Sequence, residues 1–169
     1  AFKIAKKIVN ERKSTKITNT SQLANLVRSV LPRNFKTDPA TKTFQAIRIA
    51  VNDELNELSK GLSISEKTLK ADGILAVITF HSIEDRLVKE FGKMKSGKVS
   101  RGSRYGPYTE ASEPTLLPIN NRVRKPTKKE IDQNARARSG KLRVFRKTGV
   151  VSSTEYKKLI YPKIELGLN

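Results

Sequence analysis

The stretch DGILAVITFHSIEDRLVKEF, residues 72–91, decides how the chain is read. Asp72-Gly73 marks a turn, and seven mostly β-branched or apolar residues follow without alternation. Such a run suggests a strand covered on both faces, as in a parallel sheet. Ile83, Leu87, Val88 and Phe91 then fall on one side of a helix. His81, the only histidine of the chain, stands where strand gives way to helix. Ser82 is placed to cap that helix, and Glu84 and Asp85 occupy its first turn, where the helix dipole favours negative charge. The carboxyl end of a buried strand is also where open α/β sheets form their ligand crevice. His81, Ser82, Glu84 and Asp85 are therefore candidates for a crevice edge, with no individual role assigned.

Upstream, Phe44, Ile47, Val51, Leu55 and Leu58 repeat at helical spacing after Pro39, and Gly61 is placed to end that helix. This helix is expected to pack on a sheet, with Gln45, Arg48 and Asn52 as a polar row beside its apolar stripe. Residues 62–70 look helical as well. The middle of the chain thus reads as helix, strand, helix, an α/β arrangement. Nearer the start, Phe2, Ala5, Ile8 and Val9 keep helical spacing, and Asn19 with Gln22 announces a second helix through a capping box. Leu23, Leu26, Val27 and Val30 form its stripe, and Pro32 stands where it should stop. Downstream, Thr127 and Glu130 make another capping box, and NARARSGKLRVFRK (134–147) passes from a loop into a strand. There Leu142 and Val144 are expected to face the core and Arg143 to point outward.

Charge separates these regions. The 169 residues carry 35 Lys and Arg against 16 Asp and Glu, a net +19. Residues 1–40 hold +7, residues 41–91 hold −1, residues 92–147 hold +12 and residues 148–169 hold +1. Two cationic blocks around a neutral middle suit a surface that neutralises phosphates, and nucleic acid is the expected partner. Lys36, Lys42, Arg48, Arg136, Arg138, Lys141 and Arg143 are the candidate RNA contacts. In the mobile-looking loop 95–112, Tyr105 and Tyr108 could stack bases. GKMKSGKV, residues 92–99, approaches a phosphate-binding loop, but Val99 replaces the hydroxyl residue and a helix precedes it, so it is rejected as a nucleotide site. The absence of cysteine excludes disulfides and thiolate chemistry, and one histidine excludes a multi-histidine metal site. No run is long and apolar enough to span a bilayer, and no metal or membrane partner is expected.

TKTFQAIRIAVNDELNEL (41–58), DGILAVITFHSIEDRLVKEF and NARARSGKLRVFRK resemble, in that order, the bacterial RsmH (MraW) family of ribosomal RNA cytosine methyltransferases. ITNTSQLANLVRSVLP (17–32) and DPATKTFQ (38–45) are similar to that family's helical region. The resemblance covers residues 1–147. It implies an S-adenosylmethionine-dependent enzyme that methylates the exocyclic amino nitrogen of a cytosine in the decoding region of small-subunit ribosomal RNA. It further implies that residues 1–40 belong to an inserted helical domain. Residues 41–147 would form the later half of a class I, Rossmann-like methyltransferase sheet, with residues 148–169 as a tail. The family's glycine-rich cofactor loop and strand-end catalytic segment are absent, and AFKIAKKIV at the start already reads as the inside of a helix. The chain is therefore expected to be a C-terminal portion, inactive alone, working in the bacterial cytoplasm or, alternatively, the mitochondrial matrix. A non-catalytic ribosomal RNA-binding or assembly factor that keeps this part of the fold is the competing reading.

Overall fold

The structure, a computed structural model, describes residues 1–31, 38–97, 113–120 and 122–151. Lys36, Pro32, Val99, Tyr105, Tyr108 and most of the tail lie outside the described residues. Two compact units divide between Glu54 and Leu55.

The first unit is helical: α1 (Phe2–Ser14), α2 (Thr20–Val30) and α3 (Ala40–Val51). Asn19 caps α2 as its sequence announces. Its side chain accepts from the Gln22 amide at 2.9 Å, and the Gln22 carboxamide accepts from the Asn19 amide at 3.3 Å. The core is small: Ala24, Val27 and Ala40 are buried, with Ile4, Leu23, Leu31 and Phe44 packed around them. The stripe expected on α1 is not the face that packs here: Ile4, outside it, reaches this core, while Phe2, Ala5 and Val9 are exposed and Ile8 is half-buried. Asp38 fixes the start of α3 by accepting from the Ala40 amide at 3.0 Å and pairing with Arg28 of α2. The Arg28 hydrogen bond and the Ala40 amide hold the Asp38 carboxyl below its ordinary range, against a small opposing effect of desolvation.

The expected long helix through residue 60 is broken. α3 ends at Val51, and Asp53 takes a left-handed backbone, φ 52°, before α4 (Glu54–Thr68) begins. Asn and Asp are among the few residues that tolerate such a turn, so NDE carries a boundary inside an unbroken apolar periodicity. Within its own unit α3 packs on α2, and Gly61 lies within α4 with open space where a side chain would be.

The second unit contains β1 (Ile74–Thr79), α5 (Ser82–Lys95), β2 (Leu116–Pro118), α6 (Lys128–Gln133), a 3-10 turn over Ala135–Ser139 and β3 (Lys141–Lys147). The three strands form a sheet of order β1-β3-β2, and both pairings are antiparallel. This corrects the expectation of parallel neighbours among the described residues. α5 crosses one face and buries Leu87, Val88 and Phe91. Phe145 of β3 lies on Gly92 of α5, so closely that a Cβ at Gly92 would sit 2.2 Å from the ring.

The face under α5 carries Val77, Thr79, Arg143, Phe145, Lys147 and Leu116. The opposite face carries Ile74, Ala76, Ile78, Leu142, Val144 and Leu117, as the register requires. Two expectations are thereby corrected. β1 is not covered on both faces, since Ile74 and Ile78 are 51% and 62% exposed. The phase of β3 is also inverted, because Arg143 turns inward while Leu142 and Val144 look away from α5.

Behind α5, Glu66 of α4 is fully buried and meets the buried Lys95 ammonium at 2.9 Å, an ion contact off the hydrogen-bonding direction. The Thr115 hydroxyl donates to the other Glu66 oxygen. One carboxylate thus ties α4, α5 and the entry to β2 together.

Candidate functional site at the carboxyl end of β1

His81 continues the extended backbone of β1 (φ −136°, ψ 165°) and is itself the N-cap of α5. Its Nδ1 accepts from the Glu84 amide at 3.3 Å, while Glu84 Oε2 accepts from the amides of His81 at 3.2 Å and Phe80 at 2.9 Å. The expected cap, Ser82, is instead the first helical residue and exposed, because the chain leaves the strand one residue earlier than its hydroxyl suggests. An Nδ1 that accepts leaves the proton of a neutral ring on Nε2. That nitrogen is buried, 3.2 Å from Glu84 Oε1, with no aligned hydrogen-bond partner among the described residues.

Asp85, one step along α5, reaches β3. Its carboxylate accepts from Arg143 Nε at 2.8 Å and Lys141 Nζ at 3.3 Å. Partial burial pushes the Asp85 carboxyl up, but the hydrogen bonds and charges of Arg143 and Lys141 outweigh it and hold the group below its ordinary range. Arg143 and Lys141 are therefore internal cations, 17% and 27% exposed, committed to Asp85. Sequence spacing does not announce this pairing between residues 58 positions apart.

The structure brings His81, Glu84, Asp85, Lys141 and Arg143 together at one end of the sheet and leaves Ser82 at its rim. Beside them Phe80 is 56% exposed, and Gly140 lies against its ring, 3.9 Å from the nearest ring carbon to the position of a Cβ. Arg136 and Arg138, on the turn entering β3, are exposed, and Arg138 reaches only its own turn, donating to the Ala135 carbonyl at 3.4 Å. Arg124 is bridged to Leu142 and joins Arg146 as an exposed cation on the face away from α5, a pair that charge counting did not single out.

The remaining candidates sit in the helical unit. Arg48 is exposed but engages Glu54 through Nε at 2.8 Å and an Nη at 3.1 Å. Lys42 is exposed on the rim of an apolar groove of about 610 Å³ between α1 and α3, with Ile4, Ile8, Ala46 and Ile47 among its walls.

The family model for the MraW methylase family matches residues 1–148. A mixed α/β chain of this sequence, with its helical unit, small antiparallel sheet and capped strand end, belongs to that family. Among its relatives are proteins named ribosomal RNA small subunit methyltransferase H. That of Rickettsia bellii is 49% identical over 148 residues, covering 86% of this chain and 48% of its own length. That of Dinoroseobacter shibae is 47% identical over 150 residues, covering 88% and 45%. That of Paramagnetospirillum magneticum is 46% identical over 149 residues, covering 86% and 47%. The chain thus spans about half the length of the curated relatives it matches.

Proposed function

We propose that this chain works as part of an S-adenosylmethionine-dependent methyltransferase acting on the exocyclic amino group of a cytosine in the decoding region of small-subunit ribosomal RNA. The match to the methylase family over residues 1–148 carries the reading, and the relatives' names supply the substrate class. In this reading residues 1–40 belong to an inserted helical domain. Residues 41–147 contribute the later strands of a class I sheet, and residues 148–169 form a tail.

The cofactor is methyl donor to the reaction, and the two strand-end carboxylates are engaged elsewhere. Glu84 is spent on the helix cap and Asp85 on two cations, so neither carboxylate at the strand end is left to take ribose hydroxyls or an ammonium group. The residues that hold it are assigned to the part of the relatives' length that this chain does not span.

The chain's own contribution is to hold RNA. An exocyclic amino nitrogen reacts only when the base is out of its stack and fixed in orientation. Gripping the backbone on either side requires cations that are not already paired. Arg136 and Arg138 meet that requirement beside the strand end, and Lys42 meets it on the helical unit, whereas Lys141 and Arg143 shape the site through Asp85. The test is addition of this chain, with the complementary half of a relative and S-adenosylmethionine, to small ribosomal subunits. A methylated cytosine in the decoding region is expected, read by mass spectrometry of nuclease fragments. Tight RNA binding with no methyl gain would favour the non-catalytic assembly factor.

A further inference from the structure

Between α1 and α2, wholly within the helical unit, lies a groove of about 400 Å³, in the size range of small-ligand sites. Ile17 and Leu26, both half-buried, give it an apolar surface, and Lys7 and Lys16 bring two cations to it. The connection between the helices is fastened at both ends. The Thr15 amide donates to the Glu11 carbonyl at 2.9 Å, and the Thr18 amide and hydroxyl donate to Gln22 Oε1 at 2.7 and 3.2 Å. Lys16 and Ile17 stand between these anchors, so this wall is ordered before a ligand arrives.

The polar groups lining the groove are of two kinds, and existing hydrogen bonds decide which. Gln22 Oε1 takes three donors, the third being the Asn19 amide at 3.3 Å, and Asn25 Oδ1 accepts from an Arg28 Nη at 3.0 Å. With both oxygens engaged, what each carboxamide offers a ligand is its NH2 group. Ser29 is the reverse case, because its hydroxyl proton goes to the Leu26 carbonyl at 2.8 Å and leaves the oxygen to accept. Glu11 is a second acceptor. It meets Lys7 at 3.4 Å in an exposed pair of a kind that contributes little, so both partners can exchange to a ligand.

Donors, acceptors and cations around an apolar surface suit a nucleotide. A bare anion or an acidic peptide would use the lysines but meet Glu11 unfavourably. A duplex has its base edges already paired, whereas an unpaired base offers both donors and acceptors on its edge and an apolar face for Ile17 and Leu26. The surrounding block, residues 1–40, carries +7.

Resting on the family reading above, we infer that the α1–α2 groove is a subsite for one unpaired nucleotide of the substrate RNA. The base lies on Ile17 and Leu26 with its edge read by Gln22, Asn25 and Glu11, and its phosphates face Lys7 and Lys16.

The test is binding of this chain to a short single-stranded oligonucleotide of decoding-region sequence, in which each base in turn is replaced by an abasic sugar. One position is expected to lose about tenfold in affinity. Asn25→Asp keeps the oxygen that Arg28 uses and removes the donor, and it is expected to bind the intact oligonucleotide about tenfold more weakly. In that variant the sensitive abasic position should no longer matter, the coupling expected of groups in contact. Lys16→Gln is expected to lower the salt slope by about 0.7. Lys13→Gln, at an exposed lysine of α1 that does not line the groove, is the electrostatic control. Far-ultraviolet circular dichroism reports that α1 and α2 are intact in each variant. The inference is overturned if Asn25→Asp and Lys16→Gln behave as Lys13→Gln does, if no abasic position couples to Asn25, or if the fully paired duplex shows the same loss with Asn25→Asp. Coupling at Asn25 without methyl transfer in the reconstituted enzyme would sink the enzymatic reading and leave the subsite standing. Methyl transfer with an unchanged KM in Asn25→Asp would do the reverse.

Discussion

Asp85 shows how one residue can be read correctly for position and wrongly for purpose. Its place in the first turn of α5 follows from helix electrostatics, but its main work is to hold Arg143 and Lys141 across 58 and 56 positions of sequence. Because its folded carboxyl titrates below the ordinary range, its contribution to stability is present above the unfolded value near 3.9 and is lost as pH falls through the folded one. Asp85→Asn is expected to cost about 1.5–3 kcal/mol at pH 7, read by urea titration, and progressively less as pH falls below about 4. Equal cost at pH 7 and pH 2.5 would show that the ion pairs contribute nothing. Gly92 makes the second residue-scale case. Gly in mid-helix gives up helical stability, but it is what lets Phe145 lie against α5. Gly92→Ala is expected to destabilise by about 1–3 kcal/mol despite the better helix former, because the ring has to shift.

Elements whose signals are local were legible. The capping boxes at Asn19 and Thr127, the Asp72-Gly73 turn and the apolar side of α5 all appear where their residues place them. The failures have a common physical cause, a tertiary partner outweighing a local pattern. LRVF alternates equally well in either phase, and the choice is made by Asp85 and Gly92 on another element. The helix through residue 60 kept its apolar period across the break, so periodicity could not reveal the left-handed Asp53. Gly61, placed by its sequence to stop a helix, sits exposed inside α4 with nothing near its missing Cβ. Gly61→Ala is therefore expected to stabilise the chain by about 0.5–1 kcal/mol, a rise visible as a higher thermal midpoint. The buried pair between α4 and α5 should behave oppositely. Lys95→Met is expected to cost about 3–5 kcal/mol by stranding the Glu66 carboxylate, and replacing both residues with apolar side chains of like volume should recover most of that loss.

At the scale of the whole molecule the charge distribution is the informative quantity, and the structure divides the cations into two populations. Arg28, Arg48, Lys95, Lys141 and Arg143 face carboxylates, while Arg136, Arg138 and Lys42 remain on the surface. Removing Arg136 and Arg138 together is expected to flatten the salt dependence of RNA affinity by about 0.7 in slope for each phosphate of single-stranded RNA that is no longer neutralised. Lys141→Ala is expected to leave that slope nearly unchanged while lowering stability. A filter-binding series across salt concentration separates the two. The candidate site was only partly legible because a count of basic residues does not reveal which of them are already neutralised.

The Thr115 amide donates to the Lys95 carbonyl at 2.9 Å, and the Thr148 hydroxyl fastens the neighbouring Pro114 carbonyl at 2.7 Å. The chain that leaves α5 and returns to β2 is thus clasped at its neck. Once the neck is shut, added length costs little entropy, about 0.6 kcal/mol for each doubling. The ends of α5 and β2 are therefore joined through Lys95, Pro114, Thr115 and Thr148 themselves, and a change in the length of chain between residues 97 and 113 is expected to leave that junction in place.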